Sequence, residues 1–148
     1  MSFVEIRDLV ESDLNKVMEI ENLCFVAPWQ NDDIVRELNN NEFAILYVAT
    51  VDDVVVGYMD FWITFDSATI CQIAVHPDYQ RQSIGSMLLS KAFKDCSQKE
   101  VLSITLEVRE SNEKGISFYK KHGFIPYLIK PQYYSNGENA IYMIKGVA

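Results

Sequence analysis

The part of the sequence with the clearest chemical meaning is a buried strand that runs into a loop and then into a helix. This segment spans Ile73 to Leu89, and Pro77 stops the strand. The first backbone N–H groups of a helix have no partners within it, and the helix dipole adds positive potential there, so such a place binds anions. Arg81 adds a fixed positive charge and Gln82 a further donor. The segment predicts a site for a pyrophosphate-bearing ligand, and the alternative is an ordinary strand-loop-helix connection.

Two residues further along the chain could move protons. Glu107 lies at the end of a predicted buried strand, where removal from water makes a carboxylate a better base. Tyr119 lies on the following helix, and a tyrosine hydroxyl can give a proton to a leaving group. Each residue also has a structural interpretation. A strand-end glutamate is usually a solvated charge or an ion-pair partner, here of Arg109, and a helical tyrosine is usually a packing residue.

The elements that would position these residues follow from the pattern of apolar side chains. Strands are predicted at 3–8, 43–51, 54–64, 68–76, 101–109, 124–130 and 140–145. Helices are predicted from a cap at Ser12 or Asp13 as far as Pro28-Trp29, at 32–39, at 84–97, and from Asn112 to His122-Gly123. The order β-α-α-β-β-β-α-β-α-β-β predicts an α/β fold of the α+β mixed-sheet kind, with about seven strands and about four flanking helices. No linker or repeat interrupts it, which favours a single domain over residues 1–148.

Composition excludes several classes of function. The chain has 148 residues, of which 49% are hydrophobic, and its net charge is −8. That charge argues against direct nucleic-acid binding and against docking on an anionic membrane, whereas an acidic cleft would attract amines. The two histidines, His76 and His122, are isolated, and the three cysteines lack zinc-site spacing, so no metal is expected. The N-terminus does not have the pattern of a signal peptide, which makes the cytoplasm the expected location.

Two segments resemble the hallmarks of the GNAT superfamily of N-acetyltransferases. Gln80, Ser83 and Gly85 stand at the patterned positions of its acetyl-CoA loop, Gln/Arg-x-x-Gly-x-Gly/Ala, although the superfamily usually has glycine where Ser83 stands. The strand, Asn112 and the helix with Tyr119 and Gly123-Phe124 resemble its second hallmark. The sequence motif Leu-Glu-Val-Arg-x-Ser-Asn at 106–112 is similar to that of the RimI branch, which acetylates the N-terminal alanine of a bacterial ribosomal protein. Further matches at 19–29 and 133–143 extend the resemblance over nearly the whole chain.

The resemblance implies a GNAT fold and direct acetyl transfer from acetyl-CoA, without a metal, through a tetrahedral intermediate to the α-amine of a ribosomal protein's N-terminal alanine. It gives Glu107 the role of base, acting directly or through water, and Tyr119 the role of acid. The backbone N–H of Val75 is the expected oxyanion donor, at a strand that splays from its neighbour. The expected cofactor-binding residues are Ile73, Ala74, Val75, Arg81, Gln82, Ser83, Ile84, Gly85, Ser86 and Asn112. The expected acceptor-binding residues are Trp29, Tyr58, Tyr133 and Tyr134, because aromatic side chains commonly line peptide sites. The alternative for Tyr58 is that it only packs one face of the sheet.

Two other functions remain open at this point. The same fold supports acetylation of a lysine side chain or a small amine, since pocket shape decides the acceptor. A CoA-binding module without turnover is favoured by Ser83 and opposed by the presence of both Glu107 and Tyr119. A monomer or weak dimer is expected.

Overall fold

The computed structural model describes residues 3–80 and 82–147. Its seven strands are β1 (Val4–Asp8), β2 (Ala44–Val51), β3 (Val54–Thr64), β4 (Ser67–Val75), β5 (Ser103–Arg109), β6 (Ile125–Lys130) and β7 (Ala140–Gly146). Its four α-helices are α1 (Leu14–Cys24), α2 (Asn31–Asn40), α3 (Ile84–Gln98) and α4 (Glu113–Lys121), and short 3-10 turns precede α1 and α3 at Glu11–Asp13 and Pro77–Tyr79. The predicted element order and the predicted fold class are confirmed.

All seven strands form one mixed sheet in the order β1-β2-β3-β4-β5-β7-β6. Strands β1 to β4 pair antiparallel as consecutive neighbours, and β5, β7 and β6 also pair antiparallel. The parallel pair is β4 with β5, and α3 makes the crossover between them. A crossover helix must pack on one face of the sheet, so its first turn lies beside the end of β4.

Helices cover both faces of the sheet and bury a separate apolar cluster on each. On one face α3 contributes Ile84, Leu88, Leu89, Ala92 and Cys96, a spacing that puts all five on one side of the helix. On the other face Val17 and Ile20 of α1 and Ile34 of α2 pack against β2 and β3. No helix in the described ranges 3–80 and 82–147 is both long and apolar enough to cross a membrane.

One predicted helix cap is corrected by the structure. Asp13 stands at the N-cap position of α1, but its side chain makes no cap hydrogen bond with a described residue. Its carboxylate instead accepts from Arg7 at 2.8 and 2.9 Å and from the Val10 backbone N–H at 2.9 Å. The arginine on β1 engages both carboxylate oxygens in a charge-assisted, two-point contact. The predicted C-terminal glycine of α4 is confirmed, because Gly123 has a φ of 94°.

Candidate active site

The central feature of the site is a gap between β4 and β5. The two strands pair from Ser67 with Ser103 as far as Ile70 with Leu106. At that point the β3–β4 register shifts, and Cys71 is the extra residue between Ile70 and Gln72. A bulge of this kind bends a strand away from its neighbour. The ends of β4 and β5 therefore diverge and line a cleft of about 1510 Å³.

The start of α3 forms the mouth of this cleft and suits an anion. Ser83 is the N-cap residue and, among described residues, its side chain makes no cap bond, so the first helical N–H groups remain open. Ser83 adopts the left-handed conformation, with a φ of 64°. This geometry explains why a glycine is usual at this position, since glycine reaches it without steric cost. Gly85 lets the helix start approach α4, because a Cβ there would lie 3.1 Å from the Phe118 ring.

The structure brings together most of the predicted cofactor residues. Ile73, Ala74, Val75, Ser83, Ile84, Gly85, Ser86 and Asn112 all line the cleft. Gln82 is exposed and is not among the lining residues, and Arg81 lies outside the described residues. Asn112 also caps α4, because its side-chain oxygen accepts from the Gly115 N–H at 2.9 Å. The open N–H groups and the long cleft fit the diphosphate and the extended arm of coenzyme A.

Glu107 and Tyr119 both line the cleft. Ile104, Leu106 and Val108 of β5 are buried against α3, and side chains alternate along a strand, so Glu107 projects from the face that α1 covers. Tyr119 packs against the apolar cluster under α3, on the opposite face. Burial raises the pKa of the Tyr119 hydroxyl, which therefore stays protonated at neutral pH. The two side chains thus approach the gap from opposite faces of the sheet.

Three of the four predicted acceptor residues line the cleft, and Tyr58 does not. Trp29, Tyr133 and Tyr134 are lining residues. Arg109 fixes the loop that carries the two tyrosines, with its guanidinium 3.9 Å from the centroid of the Tyr134 ring and 3.1 Å from Glu138. Tyr58 is fully buried under α1, and its hydroxyl donates to Glu21. The structure therefore makes Tyr58 a support for the cleft wall, not part of its surface.

Glu21, the hydrogen-bond partner of Tyr58, also supports the cleft wall. Its carboxylate is fully buried and accepts hydrogen bonds from Tyr58, from the Gln72 side chain at 2.8 Å and from the Trp29 backbone N–H at 2.8 Å. A buried carboxylate needs several donors to offset its loss of hydration. These bonds fasten the α1–α2 loop, which carries Trp29, to β3 and β4.

Two further acidic residues, the buried Asp60 on β3 and the half-buried Glu37 on α2, are close enough to interact. Asp60 is fully buried, and no described side chain donates a hydrogen bond to either of its carboxyl oxygens. Burial, and then the neighbouring Glu37, raises its pKa to about 9, so it holds a proton at neutral pH. Glu37 accepts further bonds from Asn41 and Trp62, and these help to lower its pKa.

Two residues at the acceptor face were missed from the sequence. Tyr142 lines the cleft because β7 pairs with β5 in the register that places it opposite Glu107. Lys130 of β6 lies 3.3 Å from Glu107, with its ammonium nitrogen over the ring of Tyr142. The alternation within β7 could have indicated the face of Tyr142. No local signal pairs Lys130 with a residue 23 positions earlier.

The mixed sheet is opened between two parallel central strands, with an open helix start on one face and a carboxylate on the other. This arrangement is that of a CoA-dependent acyltransferase of the GNAT type. The chain belongs to the Acetyltransferase (GNAT) family, whose model matches residues 14–124. The superfamily resemblance seen in the sequence is confirmed.

Individual relatives agree with this assignment. A protein of Bacillus subtilis named as a putative [ribosomal protein bS18]-alanine N-acetyltransferase is 38% identical over 139 residues, which cover 93% of this chain and 92% of that protein. The crystal structure of the ribosomal-protein-S18-alanine N-acetyltransferase from Escherichia coli superposes with a TM-score of 0.90 at 30% identity, covering 99% of this chain and 95% of that one. Ard1 from Thermoplasma volcanium gives a TM-score of 0.91 at 30% identity, covering 98% of both chains.

Proposed function

We propose that this protein transfers the acetyl group of acetyl-CoA to the α-amine of an N-terminal alanine on a ribosomal protein. The observation that carries this proposal is the gap between β4 and β5. The anion-binding start of α3 lies on one face of the sheet, and Glu107 with the aromatic loop lies on the other. The named activity of the relatives from Bacillus subtilis and Escherichia coli supports the choice of acceptor. An acceptor on the ribosome would place the reaction in the cytoplasm.

Three protein groups have a defined part in the proposed reaction. Acetyl-CoA, when bound, supplies the activated thioester. Glu107 accepts the proton that the acceptor's ammonium loses, directly or through one water. The Val75 N–H stabilises the charge on the oxygen of the tetrahedral intermediate. Tyr119 donates its proton to the leaving sulfur, from the face opposite Glu107.

The ordinary pKa values of the two candidate acceptors favour an α-amine. An α-amino group has a pKa of about 7.7–8.0, whereas a lysine side chain has one of about 10.4, so the α-amine needs far less help to become a nucleophile. Glu107 is a partly exposed carboxylate with a lysine partner at 3.3 Å. Such a group can remove a proton from an α-ammonium more readily than from a lysine ammonium.

Release of free thiol from acetyl-CoA tests the proposal. The first substrate is an alanine-initiated peptide, and the matched control is the same peptide with a blocked N-terminus and an internal lysine. Thiol release with the first peptide and none with the second is the expected result. Release with the blocked peptide or with spermidine would instead assign a lysine or small-amine acetyltransferase. Binding of acetyl-CoA in a calorimetric titration, without release for any amine, would assign a CoA-binding module.

A further inference from the structure

The Lys130 ammonium lies at the acceptor face among three residues that line the cleft. Its nitrogen is 3.3 Å from the Glu107 carboxylate, 4.1 Å from the centroid of the Tyr142 ring and 5.1 Å from the centroid of the Tyr133 ring. A carboxylate and two aromatic faces around one nitrogen make a cation-binding arrangement. We name Glu107, Tyr133 and Tyr142 the ammonium cage.

The contacts within the cage are electrostatically consistent. Glu107, through hydrogen bonding and its charge, contributes to a raised pKa at both Tyr133 and Tyr142, and it raises the pKa of Lys130. The lysine therefore stays protonated and Glu107 keeps a cationic partner. The side chain of Lys130 is 35% exposed, so it can exchange this contact for water at low cost.

The cage also has the chemistry that an acceptor amine requires. A lysine ammonium and the α-ammonium of a peptide carry the same charge and the same three donors. Where Glu107 acts directly as the base, it contacts the nitrogen whose proton it removes, and here it contacts the nitrogen of Lys130. The Lys130 ammonium and the acceptor's ammonium cannot occupy this position together, because like charges at such a distance repel.

We propose that Lys130 is an internal placeholder that occupies the acceptor ammonium's position in the cage and is displaced when the acceptor binds. This inference rests on the proposed function for the identity of the acceptor. Lys130 thereby determines specificity. A small amine gains only the cage contacts, which Lys130 already makes, whereas a peptide N-terminus also gains contacts with the aromatic wall at Trp29 and Tyr134.

The chain offers a matched control for the effect of removing such a lysine. Lys91 of α3 lies 3.4 Å from Asp95, with its nitrogen 5.3 Å from the centroid of the Tyr47 ring. This group repeats the chemistry of the Lys130 contact away from the cleft, since none of its three residues is a lining residue. If Lys130 occupies the acceptor's position, replacing Lys130 changes the KM for the peptide and replacing Lys91 does not.

Acetylation kinetics of the full-length protein test the inference. In Lys130→Met the KM for the alanine-initiated peptide falls about three- to ten-fold, the scale of one exposed ion pair plus cation–π contacts, while kcat changes little. Lys130→Arg, which keeps the cation, and Lys91→Met both retain the KM of the parent protein. An unchanged or raised KM in Lys130→Met overturns the inference.

A binding experiment separates this inference from the proposed acceptor. The 15N signal of the Lys130 ammonium is followed by NMR while n-propylammonium chloride is added as a generic primary ammonium. A shift of the signal towards that of a solvated lysine supports displacement, even if no peptide is acetylated, and in that case only the acceptor assignment is lost. A signal that does not move at saturating n-propylammonium overturns the placeholder role, whatever the peptide assays give.

Discussion

Replacing Glu21 by glutamine tests whether the buried carboxylate holds the acceptor wall in place. In the native protein three donors converge on it, from Tyr58, Gln72 and the Trp29 backbone. A glutamine keeps one acceptor oxygen and introduces an NH₂ group, so at least one donor loses its partner and the remaining bonds lose their charge assistance. Bonds to a charged group are worth about 1.5–3 kcal/mol and neutral ones about 0.5–1.5 kcal/mol, and an unpaired buried donor costs about 1–3 kcal/mol.

These terms give an expected destabilisation of about 2–4 kcal/mol for Glu21→Gln. For a chain of this length the melting temperature should fall by about 5–15 °C. Calorimetry and urea denaturation measure both quantities. Glu19→Gln is the matched control, because Glu19 lies on the same helix, is 50% exposed and pairs with Lys16 at 3.0 Å. The control should stay within about 0.5 kcal/mol of the native protein.

A double-mutant cycle with Tyr58→Phe checks that the effect passes through this bond. The two changes should couple by at least about 1 kcal/mol, because each removes the same contact. Since the Trp29 backbone is one of the three donors, Glu21→Gln should also raise the KM for the peptide more than that for acetyl-CoA. Additive energies, or a Glu21→Gln protein as stable as the Glu19→Gln control, would refute the reasoning.

Three further predictions concern the proposed acid–base pair and the buried Asp60. Glu107→Gln should lower kcat/KM for the peptide in the thiol-release assay by tens to a thousand-fold, with about 10²–10⁴ as the general scale for a base. An unchanged pH–rate profile would remove Glu107 from that role. Tyr119→Phe should slow turnover and leave the calorimetric affinity for acetyl-CoA nearly intact, and weakened affinity with normal turnover would contradict the acid role. Asp60 has a folded pKa of about 9, above its unfolded value, so it takes up a proton on folding and its contribution to stability falls as pH rises from about 4 to about 9. Asp60→Asn should remove this dependence, by up to about 1.4 kcal/mol per pH unit. If the free energy of unfolding, measured with urea, changes equally with pH in both proteins between about pH 5 and about pH 8, the assignment is contradicted.

The parts of the fold that the sequence predicts are those with local causes. The element order follows from apolar periodicity and from breakers such as Pro77, and the helix start at Ser83 to Ser86 follows from a strand that runs into a helix. The alternation of β5 is likewise local, and it places Glu107 on the face opposite Leu106 and Val108. Each of these features depends on residues within a few positions of one another.

What the sequence could not predict depends on distant partners. Tyr58 alternates along β3 as a wall residue would, but whether a helix covers that part of the sheet depends on how α1 packs. The third donor to Glu21, the Gln72 side chain, lies 51 residues away, and the contact of Lys130 with Glu107 depends on the β5-β7-β6 strand order. Side-chain pairing across a sheet becomes visible only once the register is known.

The gap between β4 and β5 passes through the sheet. This geometry affects the order in which substrates can bind and products can leave. On the proposed assignment the coenzyme arrives from the side of α3 and the polypeptide tail from the side of α1, so neither blocks the route of the other. Both orders of addition are then open, and spent coenzyme can leave while the modified tail is still bound. A tail attached to a body as large as a ribosomal subunit would need only to reach one side of the enzyme.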